Sequence, residues 1–190
     1  MRLLSGLWCF FWGKLFSLFI YDKKYLKGRW FTGRFGGMFA PGWRWVTMDG
    51  FARFFLGHNK TARFPVSSRC TVICPENIHF HPDNIDNFQS VGIYYQAFGD
   101  ITIGEGSYIG PNVGIITANH KLDNLDAHDD PKPVIIGKNC WIGMNSVILP
   151  GVVLGDNTIV GAGSVVTKSF MGGGIIVGSP AKLLHTIGDK

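Results

Sequence analysis

The sequence predicts an all-β fold, a parallel β-helix built from short strands, with an aromatic-rich, helical segment in front of it. Three observations predict this. An aliphatic residue returns every six positions through the second half of the chain, a glycine follows it in most repeats, and charge and aromatic content change abruptly near residue 65. At 190 residues the chain is long enough for one domain with a real core plus a modest appendage.

The front part, residues 1–65, carries eleven Lys and Arg against Asp22 and Asp49, about +9, and five of the six tryptophans precede residue 50. Residues 66–190 hold seven Lys and Arg against eleven Asp and Glu, about −4. The front part shows no helix-turn-helix, RNP-type or zinc pattern, so no nucleic acid partner is expected. Trp, Phe, Lys and Arg together suit an anionic membrane surface better.

Residues 3–21, LLSGLWCFFWGKLFSLFIY, are strongly apolar and are followed by Asp22, Lys23 and Lys24. A spanning helix needs about 20 predominantly apolar residues. This stretch falls short and carries Lys14, Ser5, Ser17 and two glycines. With only Arg2 as a positive start and no small-residue cleavage site, a signal peptide is not expected either. The segment is expected to be a helix that lies on a bilayer or packs in an oligomer. A membrane contact through residues 1–21 would hold a cytoplasmic protein against the inner face of the cell membrane. Residues 28–57 are rich in Gly and aromatics without a clean period, and short strands or loops are expected there.

The repeat begins weakly near residue 66 and becomes regular at Ile103, Ile109 and Ile115, then again at Ile136, Ile142, Ile148, Leu154, Val160 and Val166. A period of six fits neither a helix nor a plain amphipathic strand. It fits a short strand and a turn, with three such units making one coil of eighteen residues. The aliphatic residue and the small one four places later, such as Ser107, Cys140 or Ser164, are expected to point into a narrow prism. Gly, Asn and Asp are expected at the corners, where unusual backbone angles are needed. Cys140 thus reads as core, and Cys9, Cys70 and Cys74 complete neither a disulfide framework nor a zinc set.

Between Ile115 and Ile136 the chain takes twenty-one residues where one coil would take eighteen. The intervening ITANHKLDNLDAHDDPKP is polar and ends in two prolines, so it must leave the prism as a loop. Asn119-His120 stand at its base.

The segment 101–182, with ITIGEGSYIGPNV, TANH, VIIGKNCWIG, GAGSVVTK and GSPAK, resembles the hexapeptide-repeat acyltransferases, and among them the galactoside, maltose, xenobiotic and polysaccharide O-acetyltransferases. That resemblance implies a left-handed β-helix, an exception to the right-handed crossover rule. It also implies a homotrimer with sites between neighbouring prisms, and acetyl-CoA as co-substrate with no metal. It makes His120 the general base, with Asn119 or a nearby carbonyl fixing its tautomer. Trp141, Ala162, Thr167, Lys168 and Lys182 would line the acetyl-CoA site, with backbone amides around Gly143 and Met144 facing the thioester. The family's Asp-Ile-Pro-Pro after the TK pair is replaced here by Ser169-Phe170-Met171-Gly172. The chemistry is coherent: imidazole suits deprotonation of an alcohol near neutral pH, and fixed N–H groups suit a developing oxyanion.

The expected acceptor is a saccharide hydroxyl, lipid-linked and part of a cell-surface polysaccharide, because the apolar front segment suits a membrane-assembled substrate. A small soluble sugar or antibiotic is the alternative. Two other classes remain: a gamma-carbonic-anhydrase-like metalloenzyme, for which His79 and His81 lack the further histidine spacing, and a β-helix scaffold without chemistry.

Overall fold

The computed structural model describes residues 2–32 and 36–186. Residues 33–35, within the Gly- and aromatic-rich stretch, and 187–190, at the end of the repeat-bearing part, lie outside the described residues. Two helices come first, α1 (Arg2–Ser17) and α2 (Pro41–Leu56). The first coil supplies β1 (Thr71–Ile73) and β2 (Ile78–Phe80), with a 3-10 stretch, Pro82–Phe88, in place of a third strand. The second supplies β3 (Tyr94–Gln96), β4 (Ile101–Ile103) and β5 (Tyr108–Ile109). The third supplies β6 (Gly114–Ile116), β7 (Val134–Ile136) and β8 (Trp141–Ile142), and the fourth β9 (Val147–Ile148), β10 (Val153–Leu154) and β11 (Ile159–Val160). In the last, β12 (Val165–Val166) and β13 (Gly174–Val177) flank a single bridge from Phe170 to Leu154, and β14 (Lys182–Thr186) turns back antiparallel to β13.

The strands stack into three parallel sheets, β1-β3-β6-β9-β12, β2-β4-β7-β10 and β5-β8-β11-β13. This is a three-sided parallel β-helix, consistent with the left-handed form expected, although two sixteen-residue helices mean that the chain is not all-β. The nine aliphatic residues that mark the six-residue period are all buried, as are the small residues at the fourth place after them, including Cys140. Burial pushes the thiols of Cys140 and Cys70 up, the latter to about 12, which leaves both inert. Buried hydroxyls do not go unpaired: Ser107 Oγ donates to Gly137 O at 2.6 Å and Ser164 Oγ to Gly161 O at 2.6 Å.

Corner chemistry divides between two positions. The residue three places after seven of the nine aliphatics takes the left-handed conformation, as Asn112, Asn139, Asn145 and Asn157 do with φ between 54° and 59°, or as Gly106, Gly151 and Gly163 do. The glycine directly after the aliphatic has a different task. A Cβ on Gly104 would lie 2.4 Å from the carbonyl carbon of Gly137 in the next coil, so that glycine sets the stacking distance.

Residues 28–57 do not form short strands or loops throughout. They contain α2, with Pro41 in its first turn and Gly57 closing it at φ 74°. The helix has no clear apolar stripe because it is apolar on two sides: Trp43 and Val46 are buried, while Phe54, Phe55 and Leu56 are exposed. Helix α1 packs against it along small residues. Thr47 Oγ1 donates to Cys9 O at 2.7 Å, and a Cβ on Gly50 would lie 2.4 Å from the ring of Phe16. Trp8 stacks on Phe51 with centroids 5.5 Å apart. Among the described residues no helix is long and apolar enough to cross a membrane.

A buried polar knot ties α2 to the chain that enters the first coil. Asp49 accepts from Tyr21 Oη at 2.8 Å, from Arg53 Nε at 2.9 Å and from the Val66 N–H at 3.0 Å. Arg53 in turn donates to the Ala62 carbonyl and, at 2.8 Å, to Phe64 O. Burial raises the Asp49 carboxyl above its usual range against the opposing pull of Arg53. Arg53→Ala is therefore expected to cost about 3–5 kcal/mol, because it leaves a buried carboxylate without its cation. Chemical denaturation followed by tryptophan fluorescence measures this directly. A midpoint equal to that of the parent protein would mean that the pair contributes nothing.

Candidate active site

The loop that interrupts the repeat leaves the prism between β6 and β7 and folds back on itself. The Lys121 N–H donates to Ala127 O at 2.9 Å, the Asp129 N–H to Asn119 O at 2.8 Å, and His120 and His128 form an antiparallel bridge. Its neck is closed where the Lys132 N–H donates to Thr117 O at 2.7 Å. Thr117 is itself buried, donating through Oγ1 to Gln96 O at 2.7 Å and accepting the Gly99 N–H at 3.0 Å. The loop is thus a pinned hairpin on a rigid corner, the kind of base that holds a side chain in one place.

His120 is exposed at the foot of this hairpin, with Nδ1 2.6 Å from Leu125 O. A carbonyl can only accept, so Nδ1 carries the hydrogen, and in the neutral ring Nε2 keeps its lone pair. Of the two expected ways to fix the tautomer, the carbonyl is the one found. Asn119 instead uses its own carbonyl to hold the loop's returning arm, and its side chain is exposed. The ring of His128 lies against that of His120 with centroids 4.2 Å apart, and Phe98 meets His128 edge-on at 5.0 Å. Sequence reasoning missed His128 and Phe98, since a hairpin's cross-strand partner leaves no trace in a six-residue period.

The remaining expected site residues fall on two corners. Thr167 and Lys168 follow β12 and are exposed on the same corner as the His120 loop, two coils further on. Trp141, on β8, is 58% exposed; Met144 and Ala162 are exposed at the corner between the third sheet and the first. Lys182, on β14, is exposed and has no acidic partner among the described residues. The amide of Gly143 is not available to a ligand, because it donates to Val160 O at 2.8 Å within the coil ladder. Its missing side chain matters more: a Cβ there would lie 2.6 Å from the Ala162 nitrogen. The Met144 N–H has no partner among the described residues and is the one amide of the pair left to donate. One chain does not bring this amide and His120 to the same corner.

Within one chain, no three histidines converge among the described residues. His79 Nε2 pairs with Asp100 Oδ1 at 3.2 Å, and His81 joins Asp83 and Glu105 in a partly exposed group within 4.8 Å.

A three-sided prism of six-residue repeats, broken once by a histidine-bearing hairpin, defines a class to which known sequences and structures also belong. Residues 133–168 match the family model described as bacterial transferase hexapeptide (six repeats). A candidate acetyltransferase of Saccharomyces cerevisiae is 40% identical over 131 residues, covering 62% of this chain and 67% of that one. The galactoside O-acetyltransferase of Escherichia coli is 37% identical over 93 residues, covering 47% of this chain and 46% of that enzyme. A crystal structure of a hexapeptide-repeat-containing acetyltransferase from Vibrio cholerae superposes with a TM-score of 0.52 at 27% identity, over 77% of this chain and 80% of that one. The chain belongs to the hexapeptide-repeat acyltransferase family. It spans about half to two thirds of the length of the curated relatives it matches.

Proposed function

We propose that the protein is an acetyl-CoA-dependent O-acetyltransferase that acts on a saccharide hydroxyl in cell-surface polysaccharide synthesis. The observation that carries this reading is the tie from His120 Nδ1 to the Leu125 carbonyl, which leaves Nε2 of an exposed ring with its lone pair as a base. Acetyl-CoA supplies an acyl group already activated as a thioester, so the chain needs neither a nucleophile of its own nor a metal. His120 Nε2 takes the acceptor's hydroxyl proton as its oxygen attacks, work for which imidazole near neutral pH is suited. The free Met144 N–H donates to the negative charge that develops on the acyl oxygen.

The exposed surface fits an extended anionic co-substrate. Trp141 and Ala162 offer an aromatic face and a small step beside Met144, and Thr167, Lys168 and Lys182 offer a donor and two cations. The placement of His120 and Met144 on different corners supports a homotrimer, in which the base of one prism faces the amide of its neighbour. The reading is tested by incubating the protein with acetyl-CoA and oligosaccharides, following CoA release and the mass of the sugar. The surface glycan of cells with and without the gene is then compared by mass spectrometry. Absence of CoA release with every acceptor would refute the transferase. A glycan unchanged by loss of the gene would refute the polysaccharide acceptor while leaving the chemistry standing.

A further inference from the structure

Helices α1 and α2 present a face that an ordinary water-exposed helix pair would not. On α1 the outward positions Leu3, Leu4, Phe11, Leu18 and Phe19, the last two just beyond its end, are each between 65% and 75% exposed. The outward side of an amphipathic helix carries charge, and a helix apolar on every side is normally covered. At the end of α2, Phe54, Phe55 and Leu56 are exposed to the same degree. Single exposed apolar residues need no explanation, but a contiguous patch of this kind marks a contact surface.

Beside that patch, between α2 and the chain entering the first coil, lies a cleft of about 660 Å³. Its wall is apolar, from Met48, Phe51, Phe55 and Leu56, while Arg44 and Arg69 stand at its rim with Ser68. Both arginines are exposed, and neither guanidinium has an acidic or hydrogen-bonding partner among the described residues. The acids that might offset them are spent. Asp49 is buried against Arg53, and Asp22 faces Arg63 at 3.4 Å. Exposed charge on this part of the molecule, with Lys14, Lys23, Lys24 and Lys60 against the exposed Glu76, is therefore net positive.

We infer that the α1–α2 helix pair docks on an anionic lipid bilayer, with the cleft between Arg44 and Arg69 seating a lipid phosphate and the exposed aromatic end of α2 entering the acyl region. Apolar surface flanked by unpaired cations matches both layers of such a membrane at once. Two copies of this face would bring like charges together, which disfavours self-association through it. The inference concerns a surface apart from the histidine loop and stands whether or not the protein transfers acetyl groups.

Flotation of the full chain with phosphatidylcholine vesicles, with and without phosphatidylglycerol, tests it. Binding is expected only to the anionic vesicles and should weaken as salt is raised. Arg44→Gln with Arg69→Gln should reduce affinity about thirtyfold, the effect of two cations at an anionic surface. Phe54→Ser with Phe55→Ser should abolish binding even at low salt; both side chains are exposed, so the fold is spared. Added inorganic phosphate at constant ionic strength should leave vesicle binding unchanged. Equal binding to neutral vesicles, displacement by free phosphate, or undiminished binding by the variants would overturn the inference. So would a change in their mass by light scattering, which would make the face a contact between copies of the chain.

Discussion

Replacing His120 with alanine is expected to lower acetyl transfer by about a hundredfold or more, the usual scale for losing a general base. The fall should appear in kcat, with the KM for acetyl-CoA nearly unchanged, because the ring acts on the acceptor's proton and not on the co-substrate's grip. Its position supports so specific an effect. The ring is held at Nδ1 by Leu125 O at 2.6 Å and backed by His128, so its removal leaves the prism untouched. His128→Ala makes a useful companion, since it removes the backing and leaves the base. Steady-state kinetics with a saccharide acceptor decides the matter, and turnover like that of the parent protein in His120→Ala would end the assignment.

An aspartate in place of Ile142 or Ile148 is expected to prevent folding altogether. Both side chains are fully buried on the prism axis, Ile142 on β8 and Ile148 on β9, with neighbouring coils directly above and below. A carboxylate there has no cation to meet and no route to water. Burying it unpaired costs several kcal/mol, against a stability for a whole domain of about 5–15 kcal/mol. Circular dichroism and size-exclusion chromatography of the variant report the outcome, and a soluble, cooperatively unfolding protein would mean that the inward register is misassigned. Val153→Asp is the control, because that side chain lies on the outer surface of β10.

These inward positions were legible because a three-sided coil writes its geometry into the chain as a spacing of six, a period that neither a helix nor a plain amphipathic strand has. The break at residues 116–135 was legible for the same reason, and it drew attention to His120. Helix α2 was not. Its Pro41 and Gly57 are ordinary terminal signals, but Trp43 and Val46 face inward while Phe54 and Phe55 face outward, which erases the one-sided stripe that identifies a helix in a sequence. The exposed apolar surface of that helix was hidden with it. Gly143 and Met144 show a subtler limit. They are adjacent, and only the ladder bond from Gly143 to Val160 reveals which amide is already spent. His128 could not be foreseen, since its place beside His120 depends on how a non-repetitive loop turns back.

The closed neck of that loop, where Lys132 donates to Thr117, has a consequence for how the chain can change over time. Within the coils every residue is counted. One amino acid inserted between Ile136 and Ile142 would turn each later inward side chain outward, much as a frameshift scrambles a message. Between Thr117 and Lys132 no such counting applies, because the chain departs and re-enters at one fixed corner whatever distance it travels between. Twenty-one residues separate Ile115 from Ile136, and a greater number would serve the prism equally well. Novelty in what reaches His120 can accumulate in this one uncounted stretch, while the rest of the repeat must be inherited in units of six.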